Sequence, residues 1–307
     1  MHRLLKAIGL LAVLLVACLS LLTGCQGQNQ NQPPAATVTT PESTGQETGN
    51  PGSEPGILTI TGNGVEHETK FTLDELKSMQ DALAGACYSA VNNWPAKKFI
   101  VGKGVQVSHL LQKAGIKEDA KTIVFRAADG YNASFTREQL DEKRFYFPNL
   151  MKYSTEGAVE VPSILAWEYE EDTSDLSEAT SGKLRLLIGQ ITLHDVATAA
   201  FVKGVTTIEV LTAPPGQWST VKAEPAPGKV KPGTEVVLSH PQKDLVKIYY
   251  TLDGSAPDVQ SLLYNPSTSY FQPDLNKPIP VNQPVTIKAV AIGCGKYNSQ
   301  VATFKYE

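Results

Sequence analysis

The sequence predicts an α+β fold: a mixed α/β domain followed by an all-β sandwich, both carried on a long N-terminal lead. Three observations predict it. The 307 residues are enough for two domains with real cores. Between Ile57 and Val210, β-rich runs alternate with capped helix starts, which is the signature of a sheet with helices packed on it. Beyond Pro214-Pro215-Gly216 only short β-rich runs remain, separated by Gly and Pro, as in a sandwich.

The lead comes first. Arg3 and Lys6 form a cationic start, and Ile8 to Leu22 is an almost unbroken apolar run. It ends in Leu22-Thr23-Gly24-Cys25, similar to a bacterial lipobox. That reading makes 1–24 a signal peptide and Cys25 the lipidated N-terminus, and it puts the protein on the extracytoplasmic face of the cell membrane. Two acyl chains at Cys25 anchor durably. The alternative is an uncleaved single span, for which about 20 apolar residues suffice. Residues 25–56 are Gln, Asn, Pro, Thr, Ser and Gly with no aromatic, too polar to offset their ordering entropy. They read as a disordered tether with a reach on the order of 30 Å.

The first folded domain is expected over 57–213. Ile57 to Ile60 is a strand, and Gly62-Asn63-Gly64 turns the chain into another. Thr72 caps a helix that places Leu73, Leu76 and Met79 on one face. Val105 to Leu111 runs from strand into helix, and Thr122 to Ala127 alternates as a strand. Asp129-Gly130 is a turn dipeptide, with the Tyr131 ring expected to pack beneath it. Thr136 caps another helix, and Leu184–Ile188 and Val205–Val210 are two late strands. Ahead of these strands, 150–182 has no pattern, and its acidic run Glu168-Tyr169-Glu170-Glu171-Asp172 reads as a solvated loop.

Residues 214–222 are a linker, and 223–307 the second domain. Its strands are expected at 235–239, 246–251, 285–291 and 301–306, arranged as an immunoglobulin-like sandwich. Asp253-Gly254 is its tight turn, and Pro257 fixes the chain that leaves it.

Composition excludes several function classes. With 27 basic against 31 acidic side chains and no basic stretch, nucleic acid is not the partner. Cys18, Cys25, Cys87 and Cys294 show no CxxC, which excludes a zinc ribbon or an iron–sulfur cluster. No Walker A, HExxH, Gly-x-Ser-x-Gly or dinucleotide fingerprint is present.

The order of motifs carries a resemblance. Phe71-Thr72-Leu73-Asp74-Glu75-Leu76 is followed by Gly104-Val105-x-Val107-x-x-Leu110-Leu111-x-x-Ala114-Gly115-Ile116 and then Asp129-Gly130-Tyr131-x-x-x-Phe135-Thr136. Leu184-Arg185-Leu186-Leu187 and Phe201-Val202-Lys203-Gly204-Val205-x-x-Ile208-Glu209-Val210 close the series. Together they resemble the oxidoreductase molybdopterin-binding domain, the fold of sulfite oxidase. The resemblance implies a molybdenum–molybdopterin cofactor, a cysteine thiolate on the metal and basic side chains on the pterin phosphate, with oxygen-atom or electron transfer as the activity. Cys87 is the cysteine available for the metal, and Lys203, His194 and Asn92 are the candidates to bind the cofactor. Charge pairing of Arg185 with the acidic run stands beside cofactor contact. The sequence departs from the family around Cys87: Ala86-Cys87-Tyr88-Ser89-Ala90-Val91-Asn92-Asn93-Trp94 lacks the short motif that follows the ligand in active members. The lead, with Arg3 alone, also lacks the Arg-Arg pair by which folded molybdoenzymes are exported.

Likewise Tyr249-Tyr250-Thr251-x-Asp253-Gly254-Ser255-x-Pro257 resembles the chitobiase/β-hexosaminidase C-terminal-type sandwich, which accompanies catalytic domains. It implies a docking module, or a carbohydrate contact through Tyr264, Tyr270 and Phe271. Two functions remain open at this point. One is an extracytoplasmic molybdenum oxidoreductase with a redox partner. The other is a surface binding protein without cofactor that has lost the metal ligand and takes a solute, a cell-wall polymer or a carbohydrate.

Overall fold

The computed structural model describes residues 57–91, 97–195, 200–267 and 273–307. Cys25 and the lead lie outside them, as do Asn92, Asn93, Trp94, Tyr270 and Phe271. No helix among the described residues is long and apolar enough to cross a membrane.

Two sheets build the first domain. The strands β1 (Leu58–Thr61) and β2 (Thr69–Phe71) lead to helix α1 (Leu73–Ser78). Thr72 starts α1 with a capping box: its hydroxyl accepts from the Glu75 N–H, and the Glu75 carboxylate accepts from the Thr72 N–H at 2.7 Å. A long hairpin follows, β3 (Leu83–Val91) and β4 (Lys97–Gln106), and then α2 (Val107–Lys113). The next elements are β5 (Thr122–Ala127), β6 (Asn132–Thr136) and α3 (Arg137–Asp141). The short pair β7 (Phe145–Tyr146) and β8 (Val159–Glu160) precedes β9 (Ile164–Glu171), β10 (Thr180–Leu187) and β11 (Val205–Leu211). One sheet runs β2-β1-β11-β5-β6, with β1 and β11 parallel and its other pairs antiparallel; the other runs β10-β9-β4-β3.

A single apolar core lies between them. Leu58, Ile60, Ile123, Phe125, Phe135, Ile208 and Val210 face Tyr88, Ile100, Ile164 and Leu186, all fully buried. Burial of each such side chain contributes roughly 1.5–3 kcal/mol. Phe125 and Phe135 meet edge-to-face at 5.9 Å.

Among the described residues the sandwich has seven strands. β12 (Lys222–Glu224), β13 (Thr234–Ser239) and β16 (Ile279–Val281) form one sheet, and β14 (Lys247–Thr251), β15 (Leu262–Tyr264), β17 (Val285–Ile292) and β18 (Ala302–Tyr306) the other. Alternation builds its core: Val236 and Leu238 point inward on β13, and Ala302, Phe304 and Tyr306 on β18. Gly254 adopts φ +79° in the expected turn, while the Asp253 carboxylate accepts from the Ser255 N–H.

The two domains form one compact unit, Gly52–Glu307. The turn after β17 inserts into the first domain. There Gln139 of α3 donates to the Gly293 and Lys296 carbonyls at 2.9 and 3.3 Å and accepts from the Gly295 N–H at 3.0 Å. Gly295 has φ +83°, and a Cβ on it would stand 2.6 Å from Ser134 Oγ, so the approach requires glycine. Cys294 packs against the first core, and both Cys87 and Cys294 are free thiols.

Three expectations change. The acidic run is not a solvated loop: it forms the end of β9, where Glu168 pairs with Lys103 and Glu171 with Lys98 and Arg185. The Tyr131 ring does not pack beneath its turn but stays 48% exposed. Tyr264 is buried in the sandwich core, so its ring cannot meet a sugar.

Candidate functional site

Alternation along β3 and β4 sorts the candidate residues onto two faces. Cys87 pairs with Val101 and Tyr88 with Ile100, and directly paired residues share a face. Cys87, Ser89, Lys97, Phe99 and Val101 therefore lie on one side of the β10-β9-β4-β3 sheet. Tyr88, Ala90, Lys98 and Ile100 lie on the other.

On the first face the Cys87 thiol meets the Tyr146 side chain. The Tyr146 ring stands edge-on to Phe99 at 5.6 Å. Burial pushes the thiol up, outweighing its hydrogen bonds with Tyr146 and with the backbone at Ile100 and Tyr88. The same burial, with Cys87 beside it, takes Tyr146 up to about 12. Ser89 Oγ accepts from the Phe147 N–H at 3.0 Å and fixes the following loop. At the end of this face Lys97 Nζ sits 3.0 Å above the Tyr153 ring, and His194 stacks near the same ring at 6.0 Å. Burial holds the His194 imidazole below its ordinary value, and the positive charges of Lys247 and Lys97 push the same way. Its Nδ1 is buried with no hydrogen-bond partner among the described residues.

On the second face charge is concentrated around Glu171, which is paired with Ile100. Arg185 Nη1 stands 2.6 Å from its Oε1, and Lys98 Nζ 2.5 Å from its Oε2. Burial works to raise this carboxyl, but hydrogen bonds from Lys98 and Arg185 bring it down to about 2. The Arg185 guanidinium lies 5.1 Å from the Tyr169 ring and Lys203 Nζ 5.6 Å from the same ring. Arg185 and Lys203 also pair through their backbones, which explains why the two arrive together. Arg185 Nε is buried without a hydrogen-bond partner among the described residues.

The structure therefore brings His194 to the Cys87 side of the sheet and leaves Lys203 on the other. Asn92 lies outside the described residues. Arg185 does pair with the acidic run. Sequence reading missed Tyr146, Tyr153 and Lys97, which gather only because β7 and the loop after it fold back along β3. No local pattern marks them.

The architecture is that of a mixed two-sheet domain with a β-sandwich locked onto it. Residues 56–218, a little over half of the chain, match the oxidoreductase molybdopterin binding domain, and the chain belongs to that family. Residues 225–303 match the chitobiase/beta-hexosaminidase C-terminal domain. No curated protein matches. Among solved structures, the sulfane dehydrogenase SoxCD from Paracoccus pantotrophus is similar at 13% identity, over 78% of this chain and 68% of that one. Its TM-score of 0.34 lends no argument.

The described residues do not fit the family's cofactor. Cys87 is the one cysteine in the first domain that could ligate the metal. Arg185 and Lys203, the cations suited to a phosphate, stand across the sheet from that thiol, and Arg185 is already paired with Glu171.

Proposed function

We propose that this protein is a lipid-anchored, extracytoplasmic binding protein in which the molybdopterin-domain fold serves as a scaffold, with no redox centre. One observation carries the reading: the sheet stands between the Cys87 thiol and the Arg185–Lys203 cations, so metal ligand and phosphate ligands do not converge. The sandwich supports it as a docked wall of the binding unit, through Gln139 and the turn at Gly293–Lys296. Anchoring rests on the lipobox-like Leu22-Thr23-Gly24-Cys25. Cys25→Ser should release the full chain from the membrane fraction, and retention there would refute the lipid anchor.

Metal and pterin content test the scaffold reading. The Gly52–Glu307 unit, made in a host that synthesises the cofactor, should carry little molybdenum, with no difference in Cys87→Ser. Near-stoichiometric molybdenum that disappears in Cys87→Ser would overturn the reading and establish an oxygen-atom or electron transfer enzyme, with a redox partner still to find.

A further inference from the structure

The outer face of the sandwich sheet β14-β17-β18 changes character along its length. At one end Tyr249 and Val290, paired across β14 and β17, are buried, and Tyr249 reaches the first domain through the Thr192 side chain. Two residues further along, the same face is polar. Directly paired residues share a face, so Lys288 lies beside Thr251 and Thr303, and Lys305 beside Thr286. Ile287, Phe304 and Tyr306 point the other way, into the sandwich core. A further segment extends this face. Gly228 runs parallel to the end of β18: its N–H donates to the Lys305 carbonyl at 2.9 Å, and its carbonyl accepts from the Glu307 N–H at 3.0 Å. Val230 packs against the sandwich core, so alternation turns Lys229 outward beside Lys305. Lys231 follows it and is also exposed. Lys288, Lys305, Lys229 and Lys231 therefore form a row across three neighbouring segments, about 4.8 Å apart from one segment to the next.

The fold leaves this row largely unneutralised. Among the described residues none of the four lysines forms a salt bridge. Asp253 stands near Lys288, but its carboxylate already accepts from the Ser255 N–H at 2.9 Å and the Ser255 hydroxyl at 2.6 Å. Glu307 is a second carboxylate on this stretch, against four ammonium groups. The first domain treats its cations differently: Lys98, Lys103, Arg126 and Lys143 each pair with a glutamate. Like charges on neighbouring strands repel, so the unpaired row is a cost that the free protein carries.

We propose that this row binds a linear polyanion with a negative charge on each repeat, laid across β17, β18 and the segment at Lys229–Lys231. Charge complementarity carries the choice. The four ammonium groups stand at the surface, where a single small anion is held weakly, whereas a chain of charges meets several of them at once. The Thr286 and Thr303 hydroxyls, on the same face, add neutral hydrogen-bond donors beside the lysines. The row is assembled from distant parts of the chain, which is why the sequence shows no basic stretch. With the extracytoplasmic placement proposed above, the polymer is an acidic one of the cell envelope. That identity rests on the placement, while the row itself does not.

Calorimetric titration of the Gly52–Glu307 unit, which contains all three apolar clusters, tests this with inorganic polyphosphate as the probe. Affinity should fall with salt at a log–log slope of about −3, roughly fiftyfold between 50 and 200 mM, as four contacts to a flexible polyanion require. Lys229→Gln, Lys231→Gln, Lys288→Gln and Lys305→Gln together should abolish binding. The same change of charge at the exposed Lys77, Lys113, Lys121 and Lys152 of the first domain should leave it within about threefold. Should the fourfold variant fail to fold, Lys229→Gln with Lys231→Gln, outside the named strands, should weaken binding at least about tenfold and halve the slope. Undiminished binding in the row variant, an equal loss in the first-domain variant, or no polyphosphate binding by the folded unit at low salt would each overturn the proposal. Tighter binding to phosphatidylglycerol vesicles than to polyphosphate would overturn it in favour of a membrane surface. Molybdenum measured on the same sample, and fractionation of Cys25→Ser, report on the scaffold reading and the placement separately.

Discussion

Gln139 joins two structural tasks in one side chain, and removing it should expose how far the domains depend on each other. Its Oε1 completes the Thr136 capping box, accepting from the Thr136 N–H at 3.1 Å, and also accepts from the Gly295 N–H. Its Nε2 holds two sandwich carbonyls. Gln139→Ala loses the reciprocal half of a cap, worth about 1 kcal/mol, and three interdomain hydrogen bonds at about 0.5–1.5 kcal/mol each. Gly295 is buried, so its N–H is then left without a partner. The expected loss is about 3–4 kcal/mol, a large part of a typical stability of about 5–15 kcal/mol. Urea unfolding followed by tryptophan fluorescence and circular dichroism measures it. The parent should unfold in one transition, and the variant earlier, with the sandwich and the first domain separating. Gln139→Glu distinguishes the two tasks, because a carboxylate keeps the capping box yet turns an oxygen toward the Gly293 and Lys296 carbonyls. It should lose as much as the alanine variant. A Gln139→Glu protein as stable as the parent would assign the effect to the cap alone, and a Gln139→Ala loss below about 0.5 kcal/mol would refute the docking argument.

Glu171→Ala should cost about 3 kcal/mol, because it strips the buried Arg185 of its counter-charge, whereas Lys98→Ala should cost under about 1 kcal/mol. Equal losses in chemical denaturation would contradict this ranking. Since Glu171 titrates at about 2 in place of 4.5, its contribution is complete above about pH 4.5 and disappears as pH falls toward 2. Glu171→Gln should therefore flatten the acid limb of a stability–pH curve. The two thiols behave in the opposite sense. Burial takes Cys294 from 9.0 up to about 12, so its contribution is full below pH 9 and is lost as pH climbs toward 12, and burial raises Cys87 in the same direction. Iodoacetamide at pH 8 should label neither thiol quickly in the native protein and both in denaturant, and rapid native labelling of either, read by mass spectrometry, would count against this.

What could be read in the sequence was what neighbours in the chain determine. Asp253-Gly254 requires only its own backbone and Ser255 to turn, and Thr72 and Thr136 require only the residue three places on to cap, so all three stood in plain view. Glu171 was misread because its partners are remote: Lys98 is 73 residues away in the chain, and Arg185 approaches only after β10 pairs with β9. Tyr264 resembled an exposed aromatic because a three-residue strand has too little alternation to show its buried face. Lys247 shows the same limit most clearly. It opens β14, where Lys247, Ile248 and Tyr249 are buried in succession instead of alternately. Consecutive burial on an antiparallel strand means that both faces are covered. The sandwich core covers the Ile248 face, while on the other Tyr249 reaches the first domain through a hydrogen bond with the Thr192 side chain. Docking of the two domains is therefore what buries the Lys247 ammonium. A docking made entirely of long-range contacts leaves no periodicity in the chain, so the burial of Lys247 exists only in the assembled pair.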